Sequence, residues 1–412
     1  MKSSTKRVVI VFTLCHFLLI FSYTIFLAYL PLHFQSKGMG EKGIGSLLAV
    51  ASLMTLPMVV LFGVVSDRFS PKRLCRLGAL LYAVYALGVS RAASPGTFFA
   101  LQLLGGASFA VCVVTINSLY LKHLSLAHRG KKLGVFLAGS YIGFGVGPLL
   151  AGWVAGRGDL ADVFWVSSAA AVALFFASGL LEDYPIKPFR LGEYVRDLKT
   201  PRALLVIFLL FAEGIHVGAE HTSYTLLMKH RLGMSTAGIG QFYFLIALFF
   251  GAITYSIGHG VDRGGRWIRW YLPVGMLISG IFQILTGTAT TFRGLLLIRY
   301  LHILGDGLLM WTLAYLISMI FPDDRLGGNY GFTKVVNTLG ISIGAFSLGM
   351  IMGPRDYSIA FYLSGAFQIA VAAFCFTRRN YLDVSHHKYS SAEEIAGAPA
   401  AGRIGAPDRP IE

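Results

Sequence analysis

Long apolar runs separated by short polar stretches recur along all 412 residues of the chain. Each run has about 18 residues or more, enough for a helix to cross the roughly 30 Å hydrocarbon layer of a bilayer. We place twelve such spans, at 8–32, 44–66, 74–92, 97–121, 133–156, 162–181, 203–228, 239–261, 270–288, 293–320, 330–353 and 357–376. The pattern predicts an all-α polytopic membrane protein.

Composition agrees with this prediction. Hydrophobic residues make up 55% of the chain, charged residues only 13%, and the 48 glycines are typical of helices that pack closely in a bilayer. The sequence has neither a phosphate-binding Gly-x-x-x-x-Gly-Lys-Ser/Thr motif nor a metalloprotease His-Glu-x-x-His motif. We therefore expect no enzyme, no metal cofactor and no ATP-driven motor in this chain.

The net charge of +15 is explained by topology rather than by nucleic-acid binding. If the N-terminus is inside, 25 of the 35 Lys and Arg residues fall on the inner side and 8 on the outer side. This asymmetry is the positive-inside bias, and it predicts that both termini are cytoplasmic. Short loops favour a prokaryotic inner membrane, where the partners are the lipid bilayer and a small-molecule substrate.

The two halves of the chain repeat each other. "KGMGEKGIG" (37–45) matches "LGMSTAGIG" (232–240) at an offset of 195, and Asp67 and Arg68 match Asp262 and Arg263 at the same offset. Two similar six-helix bundles joined by a linker are typical of transporters, whose site lies between the repeats. The predicted units are an N-terminal bundle (1–181), a cytoplasmic linker (182–202), a C-terminal bundle (203–376) and a disordered cytoplasmic tail (377–412).

The loops after spans 2 and 8 carry a family resemblance. "GVVSDRFSPKR" (63–73) and "GHGVDRGGRW" (258–267) resemble the loop motif Gly-x-x-x-Asp-Arg-x-Gly-Arg-Arg/Lys of the major facilitator superfamily. The resemblance covers about residues 8–376 and implies a transporter in which these loops latch the two halves together on the cytoplasmic side. The matching residues are Gly63, Asp67, Arg68, Lys72 and Arg73 in the first copy and Gly258, Asp262, Arg263, Gly265 and Arg266 in the second.

Span 5 carries a second resemblance. "GSYIGFGVGPLLAG" (139–152) is similar to the Gly-Pro motif found mostly in exporters of this family, and the matching residues are Gly143, Gly147, Pro148 and Gly152. The same small residues would also make a plain packing face. "YLPLHFQSKG" (29–38) is similar to the branch that contains lactose and phenylpropionate permeases, while Gln102 stands where drug exporters have an Arg.

Ionisable residues interrupt two apolar spans in the C-terminal half. Glu213, His216 and Glu220 in span 7, and Arg299, His302 and Asp306 in span 10, have the same i, i+3, i+7 spacing. At 100° per residue, each set forms one stripe along its helix. Ionisable side chains inside a membrane are costly and mark proton relays or substrate pathways.

The two spans run in opposite directions. If the stripes face each other, Glu220 meets Arg299, His216 comes near His302, and Glu213 comes near Asp306. Two adjacent carboxylates in a low dielectric would not both ionise, so one would hold a proton that the histidines relay. Lys334 in span 11 pairs with Asp306 or extends to the interface. Uncharged groups in the N-terminal half suited to a ligand are Tyr23, Tyr29, Gln102 and Asn117.

These features predict a monomeric secondary active transporter for a small organic solute, with the proton as coupling ion and no cofactor. Symport and antiport both stay open. Two alternatives also stay open. The span 7 stripe could carry a divalent metal, since Glu-x-x-His can ligate a cation. The chain could also be a non-transporting membrane sensor, although its short tail offers no signalling domain.

Overall fold

The computed structural model describes residues 2–27, 29–39, 41–124, 128–184, 191–262, 267–351 and 357–383. Within these ranges the regular structure is helical throughout. The helices are α1 (Lys2–Leu27), α2 (Leu30–Ser36), α3 (Glu41–Arg68), α4 (Pro71–Arg91), α5 (Pro95–His123), α6 (Arg129–Ala155), α7 (Leu160–Ser178), α8 (Leu191–Leu198), α9 (Pro201–Leu226), α10 (Thr236–Val261), α11 (Ile268–Thr286), α12 (Phe292–Ile320), α13 (Leu326–Ile351) and α14 (Ser358–Arg378).

Long helices stand at all twelve predicted spans. Ten helices in the described part of the chain are long and apolar enough to cross a membrane. The other two, α3 and α13, have 28 and 26 residues and pack inside the bundle. Asn329, Lys334 and Asn337 dilute the hydrophobicity of α13. The predicted all-α polytopic fold is therefore confirmed.

Capping residues explain where many of these helices begin. The side chains of Ser70, Ser94 and Thr200 each accept a hydrogen bond from a backbone N–H in the first turn, and each precedes a proline at the first helical position. Such an oxygen satisfies one of the free amide groups at a helix start, and proline needs no partner for its missing N–H. The same loop residues therefore separate one span from the next.

The structure differs from the predicted elements at two places. The first span, predicted as 8–32, is divided into α1 and α2, because in a continuous helix Pro31 would lack the N–H that bonds the Leu27 carbonyl and its ring would clash with that carbonyl. The predicted linker 182–202 contains α8, whose eight residues are amphipathic. Residues 185–190 of the linker and 384–412 of the predicted tail lie outside the described residues. The boundaries between the predicted units stay predictions.

The packing of the first half recurs in the second. In the first half α6 packs on α1, α5 on α3 and α4, and α7 on α4. Their counterparts in the second half are α13 on α9, α12 on α10 and α11, and α14 on α11. The halves meet where α6 packs on α10 and where α3 packs on α13. The internal repeat relates α3 to α10 and α6 to α13, so it relates these two contacts to each other. This is expected for an approximate two-fold axis between the halves.

Candidate functional site: a buried ion cluster between α9 and α12

Arg299 of α12 and Glu220 of α9 form a buried ion pair. Arg299 Nη1 lies 2.5 Å from Glu220 Oε1, and only 3% of the arginine side chain is exposed. The same nitrogen donates to Gln283 Oε1 of α11 at 3.0 Å, and the guanidinium carbon lies 4.6 Å from the centre of the Tyr224 ring. The predicted contact is present. Sequence reasoning did not identify Gln283 or Tyr224, which lack charge and resemble packing residues.

His302 connects this pair to a second carboxylate. Its Nδ1 lies 3.0 Å from the Ser279 carbonyl oxygen, so Nδ1 must carry a hydrogen and donate it. Its Nε2 lies 3.2 Å from Glu220 Oε1 and 2.9 Å from Asp306 Oδ2. A lone pair on Nε2 would point into two carboxylates, whereas a proton there would be attracted by both. The geometry therefore suits a proton between Glu220 and Asp306.

His216 lies beside His302, as the depth order of the stripes predicts. The two imidazole rings are 5.3 Å apart between centres and inclined by 24°. His216 Nε2 is 3.4 Å from Ser279 Oγ, and both histidines are fully buried. Ser279 of α11 therefore contacts both rings, one through its hydroxyl and the other through its carbonyl. It fixes the orientation of His302 and was not identified from the sequence.

Glu213 lies at the other end of the α9 stripe and is 1% exposed. Its Oε2 accepts a hydrogen bond from Gln368 Nε2 of α14 at 3.1 Å. Glu213 and Asp306 lie within electrostatic reach of each other and of Tyr141. Tyr141 belongs to α6 and stacks on Phe250 of α10 at 3.8 Å, across the interface between the halves. The carboxylates of the C-terminal half therefore lie close to the N-terminal half.

Lys334 does not pair with Asp306, in contrast to one predicted arrangement. Its Nζ donates to Asn337 Oδ1 at 3.4 Å, and Asn337 Nδ2 donates to the Leu210 carbonyl at 3.0 Å. The reason is the helix order. Helix α13 packs on α9 through Gly214 and Gly340, and Asp306 of α12 is already held by His302.

The four N-terminal candidates have partners within their own half. Tyr85 donates to Gln102 Oε1 at 2.7 Å, and Asn117 Nδ2 donates to the Val113 carbonyl of its own helix at 2.7 Å. Tyr23 stacks on Phe109 with ring centres 4.2 Å apart. Tyr29 is 6% exposed and packs against α6 near Gly152. Contact of these four residues with a ligand stays a prediction.

The Gly-Pro motif forms a close contact between α6 and α1. A Cβ at Gly143 would lie 2.8 Å from the Phe17 carbonyl, and one at Gly147 would lie 2.9 Å from the Ile25 nitrogen. Thr24 Oγ1 donates to the Gly143 carbonyl at 3.3 Å. Small residues allow the two backbones to approach this closely. The motif therefore has a packing role inside the first half, and Pro148 lies within the same helix.

One end of the bundle carries the basic loops, and we call it the basic end. It contains the α3–α4, α5–α6, α10–α11 and α12–α13 connections together with α8. Here Asp67 of α3 accepts hydrogen bonds from the backbone nitrogens of Gly327 and Gly328 at 3.1 and 2.9 Å. These nitrogens open α13, so the carboxylate meets the positive end of a helix in the other half.

Two more groups complete the Asp67 contact. Lys122 Nζ of α5 lies 2.5 Å from Oδ1, and the Tyr194 hydroxyl of α8 donates to Oδ2 at 2.8 Å. The lysine lies near the C-terminal end of α5 in the same half and was not identified from the sequence. Close approach requires glycine here, because a Cβ at Gly63 would lie 2.6 Å from the Gly327 carbonyl oxygen.

Asp262 makes the matching contact with the roles of the two halves exchanged. Its Oδ1 and Oδ2 accept from the backbone nitrogens of Gly130 and Lys131, both at 2.9 Å, at the start of α6. A Cβ at Gly130 would lie 2.5 Å from the Gly258 carbonyl oxygen. Each half thus caps a helix of the other half. We refer to Asp67, Asp262 and the helix starts that they contact as the reciprocal caps.

The remaining residues of the loop motif have other positions. Arg68 and Arg73 are exposed, and the Lys72 backbone nitrogen donates to Asp183 Oδ1 at 3.2 Å. Arg263 and Arg266 lie outside the described residues. A further contact at the basic end was not predicted: Arg325 donates to Glu193 Oε2 and to Asp197 Oδ2 of α8, each at 2.8 Å. The linker helix α8 is therefore bound to the second half at the basic end.

The described residues also contain a group of potential metal ligands. One ligand atom each from His216, His302 and Asp306 lie within 4.8 Å of one another. The two imidazole rings are nearly parallel, so their lone pairs do not converge on one point. Donor atoms around tetrahedral zinc lie closer together, since each is about 2.0–2.1 Å from the ion. In this conformation the group fits a shared proton better than a metal ion.

Comparison with known proteins places this arrangement in a family. Residues 12–274 match the family model described as Major Facilitator Superfamily. "Multidrug resistance protein 2" of Bacillus subtilis strain 168 is 24% identical over 362 residues, covering 83% of this chain and 84% of that protein. These matches extend over both halves of the fold.

Two solved structures share the fold. The human organic anion transporter MFSD10 (TETRAN) superposes with a TM-score of 0.73 at 17% identity, over 92% of this chain and 99% of that one. The proton:xylose symporter XylE, bound to 6-bromo-6-deoxy-D-glucose, gives a TM-score of 0.74 at 16% identity, over 91% and 96%. The chain is a multi-pass membrane transporter, not an enzyme, and it belongs to the major facilitator superfamily.

Proposed function

We propose that this protein is a secondary active transporter that couples the movement of a small organic solute to the movement of protons. The observation that carries the proposal is the position of His302 Nε2, buried between Glu220 and Asp306. Burying three carboxyl groups, an arginine and two histidines in a membrane helix pair is costly, and intramembrane clusters of this kind serve proton relays.

The groups of the cluster form a path for the coupling proton. His302 carries it on Nε2 between the two carboxylates, while Arg299 neutralises Glu220. His216 lies beside His302, and Glu213 continues the path along α9 toward Tyr141 at the interface with the first half. The charged and titratable groups that face His302 are thus Glu213, His216 and Glu220 of α9, and Arg299 and Asp306 of its own helix. Helix α11 contributes the uncharged Ser279 and Gln283.

Alternating access would proceed by separation of the two halves. The positive-inside bias supports a cytoplasmic position for the basic end. The reciprocal caps hold this end closed, and solute enters or leaves there only when they separate. The relatives include a drug-resistance protein and the solved structures a symporter, so the direction of transport is left open.

Removal of one cap should open the basic end. In Asp67→Ala, the backbone nitrogens of Gly327 and Gly328 lose their acceptor and Lys122 loses its partner. We expect a second, longer distance between spin labels at Arg73→Cys and Trp267→Cys, measured by pulsed electron resonance. The native cysteines are buried and will not take the label. Glu182→Ala, which removes an exposed carboxylate of the first half, should keep the single short distance. An unchanged distribution in Asp67→Ala would contradict the latch.

A divalent-metal transporter is the second candidate, favoured by the grouping of His216, His302 and Asp306. A metal would require rotation of one imidazole, which would break the contact of His302 with the Ser279 carbonyl. Thermal stabilisation of the purified protein by Mn²⁺ or Zn²⁺, reversed by a chelator, would support this candidate. Indifference to both would remove it.

The decisive experiment measures proton movement. Purified protein is placed in liposomes that contain a pH-sensitive dye, and sugars, organic acids, amino acids and cationic drugs are added one at a time. We expect at least one solute class to change the internal pH, which names the class and gives the direction from the sign. Solute exchange without any pH change would indicate an uncoupled facilitator and would contradict the coupling role of the cluster.

A further inference from the structure

Lys334 is a second intramembrane cation, and it lacks the partner that Arg299 has. Its Nζ contacts Asn337 Oδ1 at 3.4 Å, and no carboxylate of the described chain lies within 4 Å of it. An ammonium group has three hydrogen-bond donors, so at least two of them remain open. Asn337 is fixed by the Leu210 carbonyl and cannot turn to supply another acceptor.

The Lys334 side chain extends away from the basic end. Its Nζ contacts Asn337, which lies one turn further along α13 from that end, so the lysine does not reach back to the interface there. Its charge lies within electrostatic reach of His16 of α1 in the first half and of His221 near the far end of α9 in the second.

His16 presents a second unsatisfied group to the same space. It is 5% exposed, its ring stacks on Phe136 at 4.2 Å, and its Nδ1 has no hydrogen-bond partner within the described residues. Buried polar atoms in native proteins nearly always have partners, so each exception calls for an explanation. Here two unsatisfied groups, one from each half, lie within electrostatic reach of each other.

An unpaired ammonium at this depth is costly in the empty protein. The protein neutralises Arg299 with Glu220 in the same half, so it is able to supply a carboxylate where one is needed. Nothing comparable faces Lys334 in the described residues. An anion from outside would offset the cost, and it would do so only in the bound state. A cation that is neutralised only when a ligand binds is typical of a binding residue and not of a structural ion pair.

We propose that Lys334 binds the carboxylate of an organic anion, that His16 donates to the same ligand from the other half, and that this anion is the transported solute. The inference rests on the proposed transport function and adds the class of substrate. Because the two groups come from different halves, the ligand joins them when bound and releases both when they separate.

The test uses matched pairs of solutes that differ in charge. Acetate with acetamide, benzoate with benzamide, and gluconate with glucose are added to the purified protein in nanodiscs, and the midpoint of thermal unfolding is recorded. We expect at least one carboxylate to raise the midpoint while its neutral partner does not. In Lys334→Gln the concentration needed for this shift should increase at least about tenfold, which corresponds to the loss of one charged contact.

Three further variants keep the test informative. Lys334→Met should raise the midpoint of the ligand-free protein, because it removes a half-buried charge that has no carboxylate partner among the described residues. Lys199→Gln, which alters an exposed lysine at the basic end, should leave the midpoint and the carboxylate response unchanged. His16→Ala should weaken the carboxylate response by a smaller factor than Lys334→Gln. A neutral partner that stabilises the wild type equally, a response that survives in Lys334→Gln, or no response to any carboxylate would each overturn the anion site.

The outcomes separate this inference from the proposed function. Carboxylate binding that depends on Lys334, without proton movement in liposomes, would keep the anion site and reject the coupling. Proton movement driven by a sugar or a cationic drug would keep the coupling and reject the anion site.

Discussion

Glu213→Gln should reduce solute-driven proton movement to the level of empty liposomes while leaving the fold intact. Glutamine has nearly the shape of glutamate, and its carbonyl oxygen can still accept the hydrogen bond from Gln368. The variant therefore removes a titratable group without leaving a cavity, and the Gln368 amide keeps its acceptor. It also removes a negative charge near Asp306, so we expect an equal or higher midpoint of thermal unfolding.

The pH profile gives the more specific readout. Solute uptake by the wild type should depend on external pH, because a proton must bind before the halves rearrange. Uptake by Glu213→Gln, if any remains, should be independent of pH. Glu182→Gln alters an exposed carboxylate at the basic end and is the matched control. A mutant with the pH dependence of the wild type would exclude Glu213 from the coupling path.

Arg299→Ala should be the most destabilising single change in the cluster. Removing one member of a buried ion pair costs about 3–5 kcal/mol, because the other charge stays buried without a partner. Glu220 keeps one cationic neighbour, since His302 Nε2 lies 3.2 Å away. We therefore expect a loss near the lower end of that range, seen as a lower midpoint of thermal unfolding together with loss of transport.

A second substitution tests whether the pair is the cause. In the double variant Arg299→Ala, Glu220→Ala the buried charge is gone, and part of the lost stability should return. Recovery is expected to be partial, because Arg299 also contacts Gln283 and Tyr224, and those contacts stay lost. If the double variant is no more stable than Arg299→Ala, then the ion pair contributes little and the aromatic and amide contacts dominate. Transport is not expected to return.

The sequence predicted the contacts that depend on helix periodicity and direction. Arg299 and Glu220, and His216 and His302, could be matched because a stripe at i, i+3, i+7 has a fixed face and antiparallel helices have a fixed depth order. The helix starts were also predictable within a few residues, since Ser70 and Pro71 or Thr200 and Pro201 have strong local preferences.

The contacts that sequence reasoning missed depend on neighbours from other helices. Ser279, Gln283 and Gln368 lie on α11 and α14, and an isolated uncharged polar residue in a span gives no sign of its partner. Lys334 was placed near Asp306 by charge alone, although α9 lies between their helices. Gln102 and Asn117 were candidates by residue type, and one polar atom of each, Gln102 Oε1 and Asn117 Nδ2, already has a hydrogen-bond partner inside the first half.

The reciprocal caps have a geometric consequence for the opening movement. The two reciprocal caps are related by the approximate two-fold axis and lie at the basic end. Each brings glycine backbones of the two halves within contact distance. If both caps break together, the halves separate evenly. If only one cap breaks, the other acts as a hinge, and the two halves separate on the side of the broken cap. Asp67→Ala and Asp262→Ala would then open the molecule toward opposite sides, giving two intermediates that the same approximate two-fold axis relates to each other.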